Sequence, residues 1–151
     1  MKVLSNLDLQ INTAEIKRRL GMSDESEDWK HVQDLMQQAE SLIKPKCVYE
    51  ACFIQEKGES SVKIAGIDFS SKVLRKNLDE VERVFPFVIT IGPELEERSR
   101  AEEDFLNQYY LDTIANVALQ DLIKSLCKYL QDEYKLEKLS YMNPGSLQDW
   151  P

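Results

Sequence analysis

The side chains that do chemistry unaided are sparse in this sequence. Cys47, Cys52 and Cys127 make an odd number of cysteines without metal-ligand spacing. Cys47 and Cys52 fall five residues apart in one strand-like run, so they face opposite sides of it and neither bridge nor share a metal ion there. Free thiols, mostly buried, are the expectation. His31 is the sole histidine; its charge-rich helical surroundings mark a surface residue rather than a general base or a ligand. Neither G-x-x-x-x-G-K nor G-x-G-x-x-G occurs, and no Ser-His-Asp set carries a signature. A freestanding hydrolase, kinase or Rossmann dehydrogenase is not indicated, and no catalytic or metal-binding residue is nominated.

Four features have the chemistry to hold a ligand or a partner. Gly92-Pro93-Glu94 sets a helix start just beyond an apolar strand, where backbone N–H groups can hold an anion. Glu94, Glu96 and Glu97 oppose an anion there, which favours an ordinary strand-to-helix joint. Asp112, far inside a long helical pattern, is either a buried structural carboxylate or a ligand contact. Asn143-Pro144-Gly145 is either a plain reverse turn or a turn where glycine lets the backbone approach a ligand closely. Residues 94–104, ELEERSRAEED, carry six acids against two arginines, a net −4. That run is either a solvated helix start favoured by the helix dipole or a docking face for a basic partner.

The elements that must position these groups follow from composition and periodicity. The chain has 151 residues, is 42% hydrophobic and 30% charged, and contains only five Gly and five Pro. It is long enough for one real core and a single domain, and it is neither collagen-like nor low-complexity. Nineteen basic against 27 acidic residues give a net charge of −8 with no basic stripe. Nucleic acid and anionic membranes are therefore poor partners. No apolar run approaches the roughly 18 residues of a membrane helix. MKVLSNLDLQ lacks the form of a secretory signal, so a cytoplasmic protein is expected.

Leu7, Leu9 and Ile11 alternate with polar residues as in a short half-exposed strand. Asn12 and Glu15 form a capping pair for a helix through Leu20, stopped by Gly21. Apolar residues from Trp29 to Ile43 keep helical spacing until Lys44-Pro45. Residues 47–55 and 61–69 read as two strands of a hairpin around 57–60. Ser70 or Ser71 caps a short helix. Residues 85–92, FPFVITIG, read as a strand buried on both faces. From about Asp104 to Glu133 there is neither Gly nor Pro, and Leu106, Tyr110, Ile114, Val117, Leu122, Leu126 and Leu130 track one stripe of a long helix. The fold class is α+β (mixed α/β): a small antiparallel or mixed sheet packed against that helix and shorter ones.

Three stretches together resemble the activation domain of cobalamin-dependent methionine synthase, particularly its small freestanding relatives. They are FPFVITIGPELEER (85–98), YYLDTIANVAL around Asp112, and NPGSLQDWP (143–151), which is similar to the family's Ser-Pro-Gly-Tyr-x-x-Trp-Pro element. The resemblance implies binding of S-adenosylmethionine and assistance to the reductive remethylation of a cobalamin held by a partner corrinoid protein or methyltransferase. A flavoprotein or another reductant would supply the electron. The family's Arg-x-x-x-Gly-Tyr binding motif falls on residues 141–146. Asn143, Pro144 and Gly145 keep its turn, Tyr141 stands in place of the arginine, and Ser146 in place of the tyrosine. Asp112 matches an acidic position of the family. The ligand site implied is thus Tyr141, Asn143, Pro144, Gly145, Ser146 and Asp112. The two replacements leave a second expectation, a docking module for a corrinoid protein that has lost the ligand. Relatives continue past Trp-Pro, so either a short variant or a fragment of a longer chain is expected.

Overall fold

The structure, a computed structural model, describes residues 1–145. In chain order the elements are β1 (Lys2–Leu4), α1 (Thr13–Leu20), α2 (Trp29–Leu42), β2 (Lys46–Tyr49), β3 (Cys52–Lys57) and β4 (Ser61–Ile64). There follow β5 (Ile67–Ser70), α3 (Lys72–Asn77), β6 (Arg83–Val84), β7 (Phe87–Thr90), α4 (Glu94–Arg100) and α5 (Phe105–Tyr134). The fold is mixed α+β, with sheets of order β1-β2-β7 and β5-β4-β3-β6. The chain forms two compact units. One comprises Met1–Val3, Val48–Val88 and the stretch from Ser140 on; the other comprises Leu4–Cys47 and Ile89–Leu139.

The second unit is helical, with α1, α2 and α4 all packed on α5. The Asn12 side chain accepts a hydrogen bond from the Glu15 N–H, and Gly21 ends α1 in the left-handed conformation (φ +64°), so both sequence signals at this helix hold. Helix α2 starts at Trp29, where the apolar helical spacing begins, after Ser23 to Ser26 have closed a turn of their own. Its Trp29, Val32, Leu35 and Ala39 face Leu111, Ile114 and Val117 of α5 and Leu95 of α4 in one buried cluster. Asp104 caps α5, its carboxylate accepting from the N–H groups of Leu106 and Asn107. At about 1.5 Å per residue, the 30 residues of α5 span roughly 45 Å.

The first unit is built on the antiparallel sheet. Strands β3 and β4 form the expected hairpin, pairing Ile54 with Ile64 and carrying a bulge between Ile54 and Glu56. Val62, Ile64 and Leu74 make its core, with Ile54, Phe69 and Val84 packed against them. Ser71, not Ser70, caps α3 by accepting from Leu74 N.

Several expectations need correction. Residues 7–11 form no strand: their side chains do alternate in exposure, but the segment joins no ladder. Residues 47–55 are two strands, broken at Glu50 and Ala51, so Cys47 and Cys52 lie on separate elements. Residues 61–69 are likewise two strands, since Ala65 (φ +52°) and Gly66 (φ +79°) form a two-residue turn that folds β5 back on β4. Strand β7 is not buried on both faces: Val88 is 75% exposed. Leu106, assigned to the core stripe, is half-exposed, whereas the rest of that stripe is buried.

Candidate functional site: a cleft beside Asp112

In the helical unit, the end of β7 and the start of α4 face one side of α5 across an open cleft of about 410 Å³. Its lining is residues 89–92, Glu96, Asp112, Ala115, Asn116 and Leu119. Asp112, Asn116 and Leu119 stand at i, i+4 and i+7, so one face of α5 presents all three. The opposite wall is shaped by the joint after β7. Gly92 takes φ +90° and donates its N–H to Thr90 Oγ1 at 3.0 Å. Lys44 N–H donates to Ile91 O at 2.7 Å, and the Lys44 ammonium pairs with the Glu94 carboxylate. That ammonium holds the Glu94 carboxyl below its usual range.

Helix α4 is turned so that Leu95 and Ser99 are buried while Glu96 faces the cleft. Ser99 Oγ donates to Asp112 Oδ1 at 2.6 Å, tying α4 to α5 at the cleft's edge. Asn116 Nδ2 donates to the Asp112 backbone carbonyl at 2.8 Å. The nearby basic groups are engaged by acids one helical turn away: Arg100 by Glu96, and Arg98 by Glu102 at 2.8 Å. No lining residue is cationic. The cleft therefore offers carboxylate and amide acceptors together with Ile, Ala and Leu surface. It suits a ligand with a positive charge or hydroxyl donors and an apolar body.

Asp112 is exposed on this cleft wall, so the expectation of a buried structural carboxylate does not apply to it. The buried carboxylate of α5 is Asp121, 8% exposed. Its oxygens accept from Asn12 N–H at 2.8 Å and from the Lys124 ammonium at 2.7 Å, anchoring the start of α1. Sequence reasoning missed it, although an acid four residues after Val117, on the buried stripe itself, is the signal that marks it.

The remaining nominated residues belong to the other unit. Tyr141 is 46% exposed, and Gly145 adopts φ +84° with open space where a Cβ would stand. Asn143 and Pro144 lead into that turn. Met142 packs against the sheet core, its sulfur accepting from Asn77 Nδ2. Ser146 lies outside the described residues. His31 is exposed, its Nε2 bonded to Asn107 Oδ1 at 2.6 Å. All three cysteines are free; Cys47 is buried and the other two are half-buried. Among the described residues no group of three His, Cys, Asp or Glu can hold a metal ion, and no helix is long and apolar enough to cross a membrane.

No protein-family model matches this sequence, and no curated protein matches it.

Proposed function

We propose that the chain binds S-adenosylmethionine in the cleft beside Asp112 and assists the reductive remethylation of a cobalamin carried by a partner corrinoid methyltransferase. One observation carries this reading. Two of the stretches that resemble the activation domain, 85–98 and the helix around Asp112, stand ten residues apart in sequence and line the same cleft from facing sides. The fit is partial and chemically specific. Glu96 and Asp112 would favour the sulfonium charge, and the acceptors of Asp112 and Asn116 would take hydroxyl donors. Ile89, Ala115 and Leu119 would receive apolar surface. No lining residue would pair with the ligand's carboxylate. When bound, the ligand supplies a methyl group; this chain's residues bind and orient it, and the cobalamin and reductant come with partners.

The test is calorimetric titration of S-adenosylmethionine against S-adenosylhomocysteine, which lacks the sulfonium charge. Saturable binding is expected, tighter for the charged ligand by about five- to tenfold, the equivalent of roughly 1 kcal/mol for one favourable charge contact. Asp112→Asn removes most of that preference. Gly145→Val probes the 141–146 turn independently. Silence at millimolar ligand overturns the reading. The second reading, a docking module without the ligand, would then lead; the cation-free cleft and Tyr141 at the arginine position favour it.

A further inference from the structure

We propose that the first two turns of α5 form a docking surface for a basic, amphipathic segment of a partner protein. Phe105, Leu106 and Tyr109 are 86%, 50% and 53% exposed. Phe105 and Tyr109 stand at i and i+4, and Leu106 at three residues before Tyr109, so the three make one apolar patch beside the helix's buried line of Tyr110, Leu111 and Ile114. An exposed aromatic at that level is costly for a surface with no partner, and clustered exposed apolar groups mark interaction sites.

The patch is held rigidly. Asp104 caps the helix beneath it, Tyr110 Oη donates to Asp28 Oδ2 at 3.3 Å, and His31 bonds Asn107. These bonds bring the first turn of α2 against the first turns of α5. The loops that precede the two helices therefore lie on the same side of the unit. Those loops, residues 23–28 and 102–104, contain seven acids and no Lys or Arg. Asp24 and Glu102 are engaged by Lys17 and Arg98; Glu25, Glu27 and Glu103 are exposed. An apolar patch with an acidic border selects a segment with apolar anchors one turn apart and Lys or Arg beside them. A second copy of this chain would set the same acids against each other, which opposes self-association. This inference is independent of the S-adenosylmethionine reading.

The experiment titrates the full chain into a short fluorescein-labelled Lys/Leu amphipathic peptide, followed by anisotropy at low salt, with a Lys/Ser peptide of equal charge as control. Saturable binding is expected. Phe105→Ser and, separately, the double change Glu27→Lys with Glu103→Lys should each weaken it about tenfold, and the Lys/Ser peptide should bind at least about tenfold more weakly. Phe105 is exposed, so its variant keeps the fold, and far-UV circular dichroism checks that it does. Absence of saturable binding, indifference to Phe105→Ser, or equal binding of both peptides overturns the proposal. So does a Phe105-dependent dimer in sedimentation, which would assign the patch to a second copy.

Discussion

Replacing Gly92 by alanine tests how the wall of the cleft is held, and the structure supplies the magnitude. At φ +90° an L side chain is strained, at a cost of about 1–2 kcal/mol. The added Cβ would also stand 3.3 Å from Lys44 Cβ, 3.4 Å from Lys44 O and 2.6 Å from Glu94 Oε2. Lys44 has little freedom to move, because its N–H is bonded to Ile91 O at 2.7 Å. Glu94 can swing away, but it then leaves the Lys44 ammonium that pairs with it. Together these cost roughly 2–4 kcal/mol, or about 5–12 °C in melting temperature for a chain of this size. Gly21 is the control. It also has a left-handed φ, +64°, but no atom lies within 4 Å of its would-be Cβ. Gly21→Ala should therefore cost only about 1 kcal/mol, roughly 2–4 °C. Both glycines belong to the helical unit, so thermal melts followed by circular dichroism compare them on the same transition. Equal losses would refute the crowding at Gly92 and leave backbone conformation as the whole effect.

Other perturbations give distinct outcomes. Asp121→Ala strands the Asn12 N–H and should destabilise by about 2–3 kcal/mol, whereas Asp121→Asn keeps an acceptor and should cost about half that; guanidinium titrations giving equal losses would contradict the anchoring role. The carboxyl of Glu15 is lowered to about 2 by hydrogen bonds from Arg18 and then Arg19. A depressed folded value means its stabilising contribution is complete above the ordinary glutamate value of about 4.3 and fades as pH falls toward 2. Glu15→Gln should thus lose less stability than the unaltered chain across that window, and parallel acid-unfolding curves would count against it. Burial pushes the Cys47 thiol pKa up, and its side chain is fully inaccessible. In the native protein at pH 8 it should react with a disulfide reagent more slowly than Cys52, by mass spectrometry of the labelled peptides; Cys47 labelling first would contradict its burial.

Local signals were legible where one residue type has one physical job. Asn12 and Gly21 bound α1 because one side-chain acceptor and one left-handed residue terminate a helix. The stretch without Gly or Pro gave α5 nearly to the residue. Strands were harder. Residues 61–69 look continuous because Ala65-Gly66 is a weak turn signal beside Asn-Gly, yet two successive left-handed residues suffice to reverse the chain. The apolar run at 85–92 looks buried on both faces, but hydrophobicity does not say whether a second layer covers the strand, and Val88 is exposed. Asp112 was legible as an acid on α5, but its partner Ser99 was not, since the contact joins two helices through tertiary packing. Phe105 escaped because a helical stripe identifies buried residues by spacing and says nothing about an apolar side chain one position off it.

The pairing of Arg98, Arg100 and Lys44 with neighbouring acids has a consequence for selection among ligands. Arg98, Arg100 and Lys44 are neutralised by Glu102, Glu96 and Glu94, and the cleft itself shows the solvent Glu96 and Asp112. Adenosine compounds bearing phosphates would bring negative charge against those carboxylates with no cation among the lining residues to receive it. As a ligand site, a cleft of this lining would select by what it repels, disfavouring nucleotides and favouring neutral or positively charged molecules of similar size.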